Sequence, residues 1–327
     1  MAFLTKIRPT KGFSVLRVVT AVLVLGLLVV FVAESAKYFY SFSVPKSVSS
    51  KVDPHLKQVA AVLGSAKSSV DSISKLGALE STGSSNVASE RPVKLTVGVL
   101  ADSHNGLAYL TRALTQLRSL GVDYILFLGD YTDWGDEAAL KKAKSTMDAS
   151  SVPYFSLPGD HDLGQTRDES NFEAVFGQAR GVLTEKSVTI TYFDNSKNFT
   201  KIQESDMLWF KQAIVDSQFL FLSQPLVTND MSRVMGIIDG VKDEAVHAQN
   251  LELLKAVRES GVKAVIAGDL HLFTSYQDPE KADLMHYSIG AVLKSQSVEK
   301  FNFQSPRFAV FKVFADDTFE LVDTPIN

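Results

Sequence analysis

The 327-residue sequence predicts an α/β layered domain carried behind an N-terminal transmembrane helix and a serine-rich, partly helical stalk. Three patterns predict this. From Arg91 onward, short apolar strands alternate with amphipathic helices, the order that stacks helices on a sheet. Acidic and histidine residues recur at the ends of those strands, where open α/β sheets place their sites. An apolar run from Val18 to Ala33 follows a basic leader.

That run is extended backwards by Val15 and Leu16 around Arg17. A spanning helix needs roughly 20 apolar residues, with a lower limit of about 17. The length suffices if Arg17 snorkels to the interface. Lys6, Arg8, Lys11 and Arg17 precede the run, and Glu34, Lys37 and the aromatics Tyr38, Phe39 and Tyr40 follow it. Basic residues stay cytoplasmic and aromatics suit the far interface. Residues 1–40 are therefore read as a cytoplasmic basic stub and a single-pass signal-anchor in the cell membrane, with the rest extracytoplasmic. Ala33 and Ser35 leave a cleaved signal peptide as the alternative.

Residues 41–91 read as stalk and linker. "SFSVPKSVSSK" and "LESTGSSNVASERP" are rich in serine and small residues. Between them Leu56, Val59, Val62, Leu63, Val70, Ile73 and Leu76 fall near helical spacing, and Asp53 with Pro54 offers a helix start. His55 reads as a solvated surface residue.

The layered domain occupies residues 92–327. "VKLTVGVLADSH" reads as a strand and turn, "LAYLTRALTQLRSLG" as a helix, "VDYILFLGD" as a strand and "DEAALKKAKSTMDAS" as a helix. "VPYFSLPGDHD" is another strand and turn. Further on, "DMLWFKQAIVDS" is a helix before the strand "QFLFLSQP", and "EAVHAQNLELLKAVRESG" a helix before "VKAVIAGDLH". "MHYSIGAV" and "PRFAVFKVFADDTFELVD" read as antiparallel strands closing a sheet.

Composition narrows the function. Apolar content is 45% and charged content 21%, ordinary for a packed core. Net charge is −4 and no long basic block follows the N-terminus, so a nucleic-acid surface is not expected. Cysteine is absent, which excludes thiolate metal sites and a cysteine nucleophile.

Asp102 and His104 follow the first strand, Asp130 the second, Asp160 and His161 the third, and Asp269 and His271 a late one. Gly129, Gly159 and Gly268 precede three of these groups and permit sharp turns. One such turn would be a solvated loop; four of the same design point to a shared site. Carboxylates and imidazoles without thiolate suit Mn, Fe, Zn or Mg. One carboxylate can bridge two such ions about 4 Å apart, which would clamp a phosphoryl oxygen and lower the pKa of a bound water. A histidine that is not a ligand could protonate the leaving alkoxide. This combination prescribes phosphoester hydrolysis.

"ADSH", "LGDYTD", "PGDHD" and "GDLH", in this order, resemble the motifs of the calcineurin-like metallophosphoesterases. "ITYFDN" and "MLWFKQAI" resemble a segment of that family lying between its third and fourth motifs. The resemblance spans about Val93 to the end. It implies a layered β-sandwich flanked by helices and, by position, a first metal on Asp102, His104 and His271, with Asp130 bridging. Asp160 and Asp269 stand where the second metal is bound, His161 where the catalytic histidine sits. Asn105 is a candidate phosphate contact. The family's remaining ligand is a histidine before a proline; here Ser223 and Gln224 occupy that place.

The second site has thus exchanged imidazoles for carboxylates, which favours harder ions such as Mg, Mn or Ca. The expectation is a membrane-anchored phosphatase or phosphodiesterase using two divalent ions (Mn, Mg, Fe, Zn or Ca). Its substrate would be a phosphorylated small molecule or an envelope lipid. The alternative is a non-catalytic binding protein with a degenerate second site; a nuclease ranks third. Asp162 is expected to support the turn or orient His161. His247 reads as surface or packing and His286 as structural. Asp133 and Asp136 read as loop and helix-start residues, and Trp134 as a substrate contact or a packing residue.

Overall fold

A computed structural model describes residues 91–327, apart from Phe199, Asp230, Asp239 and residues 294–303. The anchor and stalk expected over residues 1–91 lie outside the described residues, Arg91 excepted. No described helix is long and apolar enough to cross a membrane.

Strand β1 (Val93–Leu100) leads through helix α1 (Leu107–Ser119) to β2 (Tyr124–Leu128), then through α2 (Glu137–Asp148) to β3 (Tyr154–Leu157). These strands are parallel, each crossover carried by a helix. A short 3-10 turn, His161–Leu163, and helix α3 (Ser170–Phe176) follow. Then come the hairpin β4 (Arg180–Glu185) and β5 (Val188–Phe193), helix α4 (Glu204–Ala213) and β6 (Phe219–Leu222). A two-residue ribbon, β7 (Ile237–Ile238) and β8 (Val241–Lys242), precedes α5 (Glu244–Glu259) and β9 (Ala264–Ala267). The chain ends with β10 (Thr274–Gln277), β11 (Met285–Ser288), β12 (Arg307–Phe314) and β13 (Phe319–Pro325).

The strands form two main sheets, ordered β13-β12-β1-β2-β3 and β10-β11-β9-β6-β5-β4. The side-chain period of a strand explains how they face each other. Leu126 and Leu128 of β2 point into a core shared with Val97, Val99, Phe219, Phe221, Ile266 and Phe311. Their neighbours Ile125 and Phe127 point the other way, against Leu110, Leu117, Leu140 and Met147 of α1 and α2. On the far side, Leu220, Leu222 and Val265 pack against Met207 and Phe210 of α4 and Leu253 of α5. The result is helix, sheet, sheet, helix. Strands buried on both faces, such as β6 (FLFL) and β9 (AVIA), read as continuous apolar runs for this reason.

The tail departs from the sequence reading. Arg307–Pro325 is an antiparallel hairpin pairing β12 to β1 of the first sheet. Met285–Ser288 instead joins the second sheet, parallel to β9 and antiparallel to β10. Short apolar runs do not encode their partners. Asp136 caps α2, accepting from Ala139 N at 2.9 Å. His286 is buried and its Nε2 lies 2.9 Å from Asp278 Oδ2, a structural pair. His247 is packed in α5.

Candidate functional site

All the predicted site residues lie beyond the carboxyl ends of strands. Asp102 and His104 follow β1, Asp130 follows β2, Asp160 and His161 follow β3, and Asp269 and His271 follow β9. Both sheets therefore contribute. The backbone there is bent into a region side chains rarely adopt: Asp102, His104, Asn105, Asp130, Asp269 and His271 have φ between 40° and 71°. Such strain concentrates where side-chain aim matters. It is held by a backbone ladder in which Asp102 N donates to Gly129 O (2.9 Å), Ser103 N and His104 N to Asp130 O, and Asn105 N to Tyr131 O.

Gly129 has φ 111°, open to glycine. Gly159 has to be small for another reason. A Cβ on it would stand 2.0 Å from Asp130 Oδ1, so the third turn closes directly over the bridging carboxylate.

The side chains converge in two groups that share Asp130. Asp102, His104, Asp130 and His271 each bring one ligand atom within 4.8 Å of the others, and so do Asp130, Asp160 and Asp269. His104 Nε2 is 3.1 Å from His271 Nε2. His271 Nε2 is 3.6 Å from Asp102 Oδ1.

Burial sets the charge states. It pushes the Asp102 carboxyl well above the ordinary range, with Asp269 adding to it. Asp130 is raised in the same way by burial, then by Asp160 and Asp102. Asp269 is pushed up to about 6 by burial and then Asp160, against the opposing charge of Arg233. His104 is pulled down to about 4 by burial and then His161; His271 falls to about 3 through burial, then His104 and Arg233.

A sequence profile of the calcineurin-like phosphoesterases matches residues 95–273, more than half of the chain. The chain belongs to that family. This metallophosphoesterase matches no curated protein. Among solved structures it resembles a dimetal phosphatase from Danio rerio at 13% identity, covering 72% of this chain and 100% of that one, with a TM-score of 0.55. It also resembles a purple acid phosphatase from yellow lupin seeds at 13% identity and a TM-score of 0.53, covering 71% of this chain and 52% of that one. At these identities the likeness is one of fold.

The donors of this phosphoesterase fit divalent ions. Neutral imidazoles and clustered carboxylates are ligand states, and mutually repelling buried carboxylates call for a cation. Asp102 Oδ2 is buried without a hydrogen-bond partner, an orphan a metal would satisfy. The first group mixes imidazole and carboxylate. The second, Asp130, Asp160 and Asp269, is oxygen alone.

Around that second group the structure adds residues that sequence reasoning left without roles. Asn198 Nδ2 donates to Asp160 Oδ2 (2.5 Å), and Gln224 Nε2 donates to Asn198 Oδ1 (2.8 Å) and Asp269 Oδ1 (3.3 Å). Asn195 exchanges hydrogen bonds with the Gln224 backbone in both directions. A chain of amides thus aims both carboxylates. Arg233 also went unread, and its charge acts on Asp269 and His271.

His161 N donates to Asp130 Oδ1 (3.0 Å), and its Nδ1 lies 3.1 Å from Asp133 O. A carbonyl only accepts, so Nδ1 carries a proton and Nε2 is the nitrogen left for chemistry, with the ring 4.6 Å from that of His104. Asp162 is buried and accepts from Tyr131 N, Thr132 N, Thr132 Oγ1 and Gly159 N. It supports the turn rather than orienting His161. Asn105 Nδ2 is engaged by Asp133 Oδ2 at 2.6 Å.

Proposed function

We propose that this protein is a metal-dependent hydrolase of phosphoric esters, a phosphatase or phosphodiesterase, working outside the cytoplasmic membrane face to which its N-terminus anchors it. The observation that carries the reading is the sharing of buried Asp130 between two donor groups, beside an exposed histidine that belongs to neither. Asp102, His104, Asp130 and His271 would hold one divalent ion, and Asp130, Asp160 and Asp269 a second. Bound divalent ions supply charge neutralisation at phosphoryl oxygens and activate water near neutral pH.

The chain's own groups do the rest. Arg233 adds positive charge that acts on Asp269 and His271 and would favour an anionic substrate. Water attacks phosphorus in line, and the bond from phosphorus to the alcohol oxygen breaks. His161, held through Nδ1 by the Asp133 carbonyl, delivers the second proton of its imidazolium form from Nε2 to that departing oxygen, and the proton released by the attacking water restores it through solvent. The Asp162 buttress keeps the His161 turn and the Asp130 turn in register.

The test is hydrolysis of aryl phosphate mono- and diesters by the purified protein loaded in turn with Mg, Mn, Fe, Zn or Ca. His161→Ala should lower kcat by about a hundredfold or more while bound metal, counted in the same samples, stays constant. No turnover with any ion would overturn the reading. The apolar run Val18–Ala33 supports the anchored, outward placement. Protease added outside intact cells should remove the domain while an N-terminal tag survives.

A further inference from the structure

A cleft of about 580 Å³ opens beside the second donor group, lined by Asp160, His161, Asn198, Trp134, Leu163 and Arg167 among others. It lies within the size range of sites that enclose a small organic ligand and far exceeds the needs of a phosphoryl group. Its walls are mostly apolar. Trp134 is 62% exposed, an unusual state for a large aromatic unless something covers it.

The indole is fixed. A Cβ on Gly164 would come 2.8 Å from Trp134 Cε3, so one side of the ring rests on the backbone of that turn. The loop carrying Trp134 is tied down on either side. Thr132 bonds to buried Asp162, Gly135 N donates to Thr132 Oγ1 at 2.8 Å, and Asn171 Nδ2 donates to Gly135 O at 3.0 Å. A rigid aromatic platform therefore stands beside the catalytic histidine. Arg167 is the one residue of permanent positive charge among the described residues lining the cleft.

We propose that this cleft holds the alcohol half of the substrate, and that this half carries a planar aromatic ring stacked on the free face of Trp134, with an anionic substituent against Arg167. The assignment rests on the phosphoester-hydrolase reading above. A flat platform with one cation nearby selects a neutral planar ring whose neighbouring substituent is anionic, whether the ring is the nucleobase of a nucleotide or a phenyl group. Alkyl phosphates gain neither contact.

The experiment compares wild type, Trp134→Ala, Trp134→Phe and Arg167→Gln on phenyl phosphate, a nucleoside 5′-monophosphate, a nucleoside 3′,5′-bisphosphate, glycerol phosphate and phosphatidate in mixed micelles. Trp134→Ala should lower kcat/KM about tenfold on the aromatic esters, mainly through KM, and less than about twofold on glycerol phosphate. Trp134→Phe should recover most of the loss. Arg167→Gln should affect the bisphosphate more than phenyl phosphate. The two aromatic arms distinguish nucleobase from phenol. Equal losses on all esters, no loss, or a wild-type preference for phosphatidate would overturn the proposal. If no ester is hydrolysed, the hydrolase reading fails separately. Binding of phenylphosphonate and of methylphosphonate, followed by tryptophan fluorescence against the Trp134→Phe variant, then decides the subsite: quenching by the aromatic ligand alone upholds it, and equal or absent quenching rejects it.

Discussion

The Nε2 atoms of His104 and His271 face each other across 3.1 Å. Burial holds both rings neutral, at about 4 and about 3, so between them they share at most one proton along that line. Asp102 Oδ1 stands 3.6 Å from one and Asp130 Oδ2 4.0 Å from the other. Two lone-pair donors and two buried carboxylates aimed at one point are arranged for a cation.

His271→Ala should therefore remove one ion and leave the other. Metal counted after dialysis should fall by about one per chain, and kcat should drop by at least a hundredfold. Unchanged metal content would show that the two histidines are packing partners.

Gly159→Ala tests how closely the third turn covers the bridging carboxylate. The new Cβ would meet Asp130 Oδ1 at 2.0 Å. Either the turn lifts or Asp130 swings away. Overpacking of this kind costs about 1–3 kcal/mol, or roughly 5 °C in Tm for a domain of this size. Both ions should be weakened together, because both depend on Asp130. Calorimetry with and without Mn would read both effects.

The site's donors were legible because each lies directly after a strand, in a turn whose residue types repeat. Asp102, Asp130 and Asp269 follow apolar runs, and aspartate tolerates the left-handed backbone those turns need. Trp134, Asn198 and Gln224 were harder. Their roles depend on contacts between segments distant in sequence, and an amide or indole in a loop has no periodic signal. The fold's layers followed from alternation of strands and helices. Which sheet received Met285–Ser288 did not, since four apolar-alternating residues suit either. The β4–β5 hairpin escaped for a similar reason: Arg180–Glu185 carries little apolar content.

The ion-free domain should lose stability as pH rises from about 6.5 to 8. A carboxyl whose pKa is raised on folding stabilises the fold below its unfolded value and loses that contribution as pH climbs through the folded one. Asp102 and Asp130 are raised well above the ordinary range, and Asp194 is pushed to about 7 by burial. His104 and His271 are depressed and act oppositely, but only as pH falls below about 6.5. Within the window named they add no slope. Divalent ions at a hundred times Kd should add about 2.7 kcal/mol, raising Tm by roughly 5–10 °C and removing the part of the fall that Asp102 and Asp130 contribute. A Tm that rises with pH in the ion-free protein would contradict the buried-carboxylate account.

Gln224 carries the sharpest question about the second ion. Its amide donates to Asn198 Oδ1 and to Asp269 Oδ1, and Asn198 in turn donates to Asp160 Oδ2. One side chain thereby holds both carboxylates that Asp130 does not supply. Gln224→Leu keeps volume and removes the donors, which leaves a buried amide oxygen on Asn198 without its partner. Loss of such a supporting contact weakens a metal by about 10–100-fold. Titration with Mn should therefore show the second binding step weakened by that factor and the first unmoved. Gln224→His restores a ring nitrogen beside an otherwise all-oxygen group. It should shift the second step toward Zn over Mg, as imidazole does in place of oxygen. If Gln224→Leu leaves both steps unchanged, the amide chain only fills space, and the aim of Asp160 and Asp269 comes from the strained backbone alone.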